Sequence, residues 1–197
     1  MNTTIYFVRH AGYENPERVA PGRIPGYHLS ADGREKAKRV GEFFKNSPVK
    51  YIYTSPLERT FETANAISEY LPAAKIIHAY DLIEADAIHW QAYKLEDLYT
   101  NNYYEAFLND PDTKEVPENL TQLAARMKNF ALNLCAKHKG EEIICVSHQG
   151  PILALRLSLE GKPLKVIKTY DASMASITTF VFDENCAFQK VAYKETE

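Results

Sequence analysis

Ile5-Tyr6-Phe7-Val8 is an apolar run without polar alternation. A β-branched and aromatic run of this kind is a strand buried on both faces, as strands inside parallel sheets are. Ile143-Ile144-Cys145-Val146 repeats the pattern inside a strand read over 141–147, and shorter strands are read at Tyr51-Ile52-Tyr53-Thr54 and at Lys75–His78. Helical patterns separate these strands. The alternation predicts an α/β chain of three layers, α/β/α, with a mostly parallel twisted sheet, helices on both faces and a small helical cover segment. Residues 175–182 and 187–193 read as a terminal strand pair around Asp183-Glu184-Asn185.

Local signals place the helices. Ser30 is a good N-cap, with Asp32 in the first turn, and Ala37, Val40, Phe43 and Phe44 supply an apolar face as far as Asn46. Ser55-Pro56-Leu57-Glu58 reads as a helix start in which Ser55 caps, Pro56 takes the first helical position and Glu58 completes a capping box. Asn119 caps a helix whose stripe of Leu120, Leu123, Ala124, Met127, Phe130, Ala131 and Leu134 is core, with His138 near its end. Gly150 and Pro151 open another helix, with Ile152, Leu155 and Leu159 on one side. Residues 13–29 carry Pro16, Pro21, Gly22, Pro25 and Gly26 and form a loop over the end of the first strand, with Arg18, Arg23 and His28 in it. Residues 85–118 are the least regular part. They hold Trp90, Tyr93, Tyr99, Tyr103, Tyr104 and Phe107, and read as one or two short helices covering the sheet edge. The expectation is a single domain over 1–197 with 85–118 as an insertion that sets specificity.

Composition excludes several classes. At net charge −3 the chain has no broad basic field, so nucleic acid is not an expected partner. No stretch approaches the roughly 20 apolar residues of a membrane span, and Met1-Asn2-Thr3-Thr4 lacks the cationic region of a signal peptide. Cys135 falls on an apolar helix face and Cys145 in an apolar strand, while Cys186 stands apart. Both of the former read as buried thiols, so a reducing, cytoplasmic setting is expected.

Three strand ends carry chemistry: Arg9-His10, Arg59 and His148, with Glu84 past a fourth. A parallel sheet gathers its strand C-termini on one edge, where α/β proteins bind ligands. Arg59 lies in a helix first turn, where free N–H groups already favour an anion. Each residue has a plain alternative: Arg59 as a surface partner of Glu58 or Glu62, Glu84 as a solvated charge, Arg9 and His10 as loop decoration. Together, two arginines and a histidinium are a donor set for a phosphoryl group. The chain has no P-loop and no glycine-rich dinucleotide fingerprint, and Pro151 stands where a cysteine-dependent phosphatase would need an arginine after Cys145. No metal site and no cofactor are expected.

The ordered set Val8-Arg9-His10, Ser55-Pro56-Leu57-Glu58-Arg59-Thr60-Phe61-Glu62-Thr63-Ala64, Glu84, and Val146-Ser147-His148-Gln149-Gly150 resembles the histidine phosphatase superfamily, in its phosphoglycerate-mutase-like branch. Gly22-Arg23 through Leu29-Ser30 and Gly33, Trp90, and Glu118-Asn119-Leu120 extend the resemblance over most of the chain. It implies His10 as nucleophile, forming a covalent phosphohistidine. It implies Arg9, Arg59 and His148 as ligands of the phosphoryl oxygens, and Glu84 as general acid and base. Ala11-Gly12-Tyr13 stands where Gly-Glu-Thr is common, and Gln149 replaces a glycine after the second histidine. Gln149, Asn15 and Arg23 are the further candidates for phosphate or substrate binding. Residues 85–118 are acidic, with Lys94 and Lys114 and no arginine, whereas mutases of the family resemble each other in a basic insertion. A phosphatase acting on a small phosphorylated metabolite is therefore expected. A mutase and a non-catalytic phospho-ligand binder are the alternatives, and a homodimer is left open.

Overall fold

The computed structural model describes residues 1–196. It contains β1 (Thr3–Arg9), α1 (Ala31–Phe44), β2 (Tyr51–Thr54), α2 (Glu58–Ser68), β3 (Lys75–His78), α3 (Asn102–Asn109), α4 (Leu120–Lys137), β4 (Glu142–Ser147), α5 (Gln149–Leu159), β5 (Ile177–Phe182) and β6 (Phe188–Lys194). The six strands form one sheet in the order β3-β2-β4-β1-β5-β6. The first four are mutually parallel, and β5 and β6 add on antiparallel beyond β1. The architecture is the α/β one the alternation of strand and helix predicts.

The parity of the strands sorts the core into two halves, because successive side chains point to opposite faces. Ile5, Phe7, Ile143, Cys145 and Phe180 pack against α4 and α5, together with Trp90 and Phe107 of the 85–118 segment. Val8, Ile52, Ile144 and Val146 pack on the other face, against Ala37, Val40 and Phe44 of α1 and Ala64 and Ile67 of α2. Parallel register then sets the strand ends level: Arg9 lies opposite Ser147, and Thr54 opposite Val146.

Three local expectations are corrected. α2 begins at Glu58, with extended Leu57 as N-cap and no side-chain cap bond. The Ser55 hydroxyl lies ahead of the helix, accepting from His148 Nε2 at 2.9 Å and from Leu57 N at 3.5 Å. α5 is buried around most of its circumference, from Pro151 to Leu155, because it sits between the sheet, α4 and the 3₁₀ stretch Leu164–Thr169. Cys145 is a buried free thiol, but Cys135 is bonded to Cys186. The β5–β6 turn carries Cys186 back beside the end of α4, with a Cα–Cα distance of 5.9 Å. The thiol argument for a reducing setting is left to Cys145. Among the described residues no helix is long and apolar enough to cross a membrane.

Gly33 ties α1 to the loop after β1. A Cβ there would lie 1.8 Å from the Gly12 carbonyl oxygen, which also accepts from Ser30 N at 3.0 Å. Both neighbours are backbone and cannot step aside. Gly33→Ala is expected to cost about 3 kcal/mol of stability, read as a lowered denaturant midpoint at unchanged m-value. A midpoint like the parent's would refute this packing.

Candidate active site

His10 follows β1 directly, its amide bonded to Ser147 O at 3.0 Å, so its ring faces that of His148 at 5.2 Å between centroids. The ring is 4 % exposed. Its Nδ1 lies 2.9 Å from Ala11 O. A carbonyl only accepts, so Nδ1 carries the proton and Nε2 keeps a free lone pair. Burial, then Arg59 and Arg9, push this imidazole well below its ordinary pKa, so it is neutral near pH 7.

The two arginines are tethered at one corner and open at another. Arg9 Nη1 donates to Ala172 O at 2.7 Å, and its Nε is buried without a partner. Arg59 Nη2 donates to Gly22 O at 2.8 Å and to His148 Nδ1 at 3.2 Å, while its Nε and Nη1 are buried without partners. Buried donors of this strength are rarely left unpaired, and a tetrahedral oxyanion supplies the acceptors they lack.

His148 sits behind them, fully buried. Because a guanidinium only donates, His148 Nδ1 is the acceptor and Nε2 donates to Ser55 Oγ at 2.9 Å. Burial, then Arg59, push its pKa well below the ordinary value. The histidinium read from the sequence is thus a neutral ring. Its two nitrogens are taken by protein groups rather than pointed at the cleft.

Glu84 reaches the site by a longer route than a strand end. β3 stops at His78, and a 3₁₀ turn over Tyr80–Leu82 carries the chain in. The carboxylate lines the cleft, with Oε1 accepting from Ala85 N at 2.9 Å. Burial pushes its pKa up, against the pull of Arg59, Arg9 and Arg126. Gly150 in the first turn of α5 leaves it room, since a Cβ there would lie 2.9 Å from Glu84 Oε1.

Of the remaining candidates, Gln149 lines the cleft, and its amide donates to Asp171 Oδ1 at 3.1 Å. Asn15 and Arg23 are directed elsewhere. Asn15 closes its own loop by bonding both ways to the backbone of Val19. Arg23 donates Nε to Glu84 O at 2.8 Å and Nη2 to Glu118 Oε2 at 2.9 Å, with Nη1 on Asp86 at 3.3 Å. Glu118 also pairs with Arg126, which donates to the carbonyls of Asp81 and Ile83. These ions clamp the backbone that carries Glu84, so Arg23 acts on the segment rather than on a ligand.

Five further residues contribute to the site without any local sequence signal that assigns them to it. Ser55 holds His148. Tyr13 lines the cleft, its ring 5.4 Å from that of His10 and 5.8 Å from the Arg59 guanidinium carbon, and was visible only as a departure from a family pattern. Ile167, Lys168 and Tyr170 wall the cleft from the 3₁₀ stretch and the residue after it, where no periodicity marks them. The cleft holds about 310 Å³ and is closed opposite the sheet by the 85–118 segment.

A family model described as "Histidine phosphatase superfamily (branch 1)" matches residues 5–195. An uncharacterized Mycobacterium tuberculosis protein is 32% identical over 92% of this chain and 91% of its own length. Phosphoserine phosphatase 1 of Hydrogenobacter thermophilus is 29% identical over 91% of this chain and 87% of its own. Among solved structures, a phosphoserine phosphatase from Entamoeba histolytica, in complex with 3-phosphoglyceric acid, superposes with a TM-score of 0.85 at 23% identity, covering 99% of this chain and 98% of that one.

Proposed function

The chain belongs to the histidine phosphatase superfamily, branch 1, and from that premise we propose that it hydrolyses a small phosphomonoester through a covalent phosphohistidine on His10. One observation carries the reading: a neutral His10 with Nε2 free stands beside three guanidinium nitrogens, Arg9 Nε and Arg59 Nε and Nη1, that are buried without partners. Arg9 and Arg59 seat the phosphoryl oxygens and offset the charge that grows on them. His10 Nε2 attacks phosphorus, the bond to the ester oxygen breaks, and Glu84 gives its proton to the departing alkoxide. Glu84, now a carboxylate, takes a proton from water as that water attacks the phosphohistidine. Inorganic phosphate leaves, and His10 and Glu84 return to their starting forms. His148 works through Arg59, holding the guanidinium from behind. The two arginines do what a divalent metal does in other phosphatases, so turnover needs none.

Hydrolysis rather than mutase transfer is supported by the arginine-free 85–118 segment and by relatives named as phosphoserine phosphatases. The test is release of phosphate from p-nitrophenyl phosphate with and without a chelator, with rapid acid-free quenching to trap phosphohistidine. The expected result is chelator-insensitive turnover with the trapped phosphoryl group on His10. Turnover lost to the chelator, or phosphoglycerate mutase turnover exceeding any hydrolysis, would overturn the proposal.

A further inference from the structure

Beyond the two arginines the cleft changes character. Trp90, Tyr104, Phe107 and Leu108 close it from the cover segment, Leu153 from α5 and Ile167 from the 3₁₀ stretch. Trp90 and Phe107 pack with ring planes tilted by 41° and centroids 5.1 Å apart, and both are nearly fully buried, as are Leu108, Leu153 and Ile167. Burial pushes the Tyr104 phenol up to about 12, so it carries no charge at any working pH. The cationic residues lining the cleft, among those described, are Arg9, Arg59 and Lys168. The arginines are committed to the phosphoryl end, and Lys168 stands at the exposed mouth with its Nζ on Asn109 Oδ1 at 3.3 Å.

The alcohol part of a substrate must lie against this wall, next to the Glu84 carboxyl. A second anionic group against this wall would lose its water, and the lining cation outside the phosphoryl end, Lys168, is exposed to solvent rather than set among the rings. An apolar or aromatic group would gain from burial and from ring contacts. We infer that the enzyme selects monoesters of compact, uncharged, apolar or aromatic alcohols, and discriminates against esters that carry a carboxylate, such as phosphoserine and 3-phosphoglycerate. The inference rests on the phosphatase reading above and sharpens it. The wall is drawn from three separate segments, so this selectivity is a property of the assembled fold.

The test compares kcat/KM of the whole protein for benzyl phosphate, O-phosphoserine and 3-phosphoglycerate, each with the parent and with His10→Ala. Benzyl alcohol is no better a leaving group than the serine hydroxyl, so a preference for its ester reports the wall. The expected preference is about 50-fold. Tyr99 lines the cleft yet is 67% exposed, so Tyr99→Arg places a cation at the wall without entering the core. It is expected to shrink the preference about tenfold by raising activity on 3-phosphoglycerate. His10-dependent hydrolysis of either carboxylated ester at or above the benzyl rate overturns this inference and leaves the phosphatase reading standing. A preference that Tyr99→Arg does not move overturns the assignment to an uncharged wall. No hydrolysis of any ester, or hydrolysis that survives His10→Ala, overturns both.

Discussion

His10→Ala is expected to lower kcat/KM by at least about 10⁴-fold on every phosphomonoester the parent hydrolyses. Alanine cannot form the covalent intermediate, and no neighbour is placed to replace it. His148 is the nearest imidazole, but its Nδ1 lone pair is held by Arg59 and its Nε2 proton by Ser55. Cys145 is a thiol buried in the sheet, with its pKa pushed well up by that burial. The residual rate should come from Arg9 and Arg59 alone, which still bind and polarise the ester. The variant is therefore expected to bind phosphate about as tightly as the parent while retaining only that residual turnover. Stability should change by about 1 kcal/mol or less, because the ring is neutral and makes one hydrogen bond, to Ala11 O. Initial rates, phosphate binding by calorimetry and a melting curve check the three parts together. Turnover above one per cent of the parent's would sink the assignment of His10 as nucleophile.

The parts of this site legible in the sequence are those fixed by chain neighbours. Arg9 and His10 follow an apolar run that can only be a central strand, and His148 follows another. Parallel pairing then brings the two ends together without further information. What the sequence could not show depends on partners far along the chain. Arg23 lies between glycine and isoleucine, with nothing local to say which way it turns, and its partners Asp86 and Glu118 are 63 and 95 residues away. Ser55 has every local mark of a helix cap, yet the shorter hydrogen bond its hydroxyl makes is to His148, across the sheet edge, 93 residues on, against 3.5 Å to Leu57 N. The charge of His148 was misjudged for the same reason. At a strand end His148 reads as one more donor for an anion until its burial and the donor character of Arg59 are known. The Cys135–Cys186 bond spans 51 residues and joins the end of a helix to the turn of the terminal strand pair, and nothing local to either cysteine marks the other as its partner.

Glu84→Gln is expected to separate the two chemical steps. The amide keeps the acceptor that Ala85 N uses and fills the same space below Gly150, so the fold is spared. It cannot give up a proton to a leaving alkoxide. For benzyl phosphate, whose alcohol departs poorly, kcat/KM should fall by about 10³-fold. For p-nitrophenyl phosphate, whose phenolate leaves unaided, kcat/KM should fall by less than about tenfold. The second step still needs a base, so with the nitrophenyl ester the phosphoenzyme should accumulate, seen as a burst approaching one product per site followed by slow turnover. The pH dependence follows from the two displaced ionisations. The proposed mechanism requires a reactive form with His10 neutral and Glu84 protonated. Burial and the arginines push the first downward, and burial pushes the second upward, which widens the window where both conditions hold. Activity on benzyl phosphate should fall as pH drops through the His10 pKa and again as pH rises through that of Glu84. Ionisation of the substrate is common to parent and variant. The parent-to-variant ratio of kcat/KM therefore isolates Glu84, and it should be largest at low pH and decline as pH rises through the carboxyl's pKa. A ratio that is flat with pH, or equal losses on the two esters, would mean that Glu84 is not the acid, and that the proton on the leaving oxygen comes from elsewhere in the cleft.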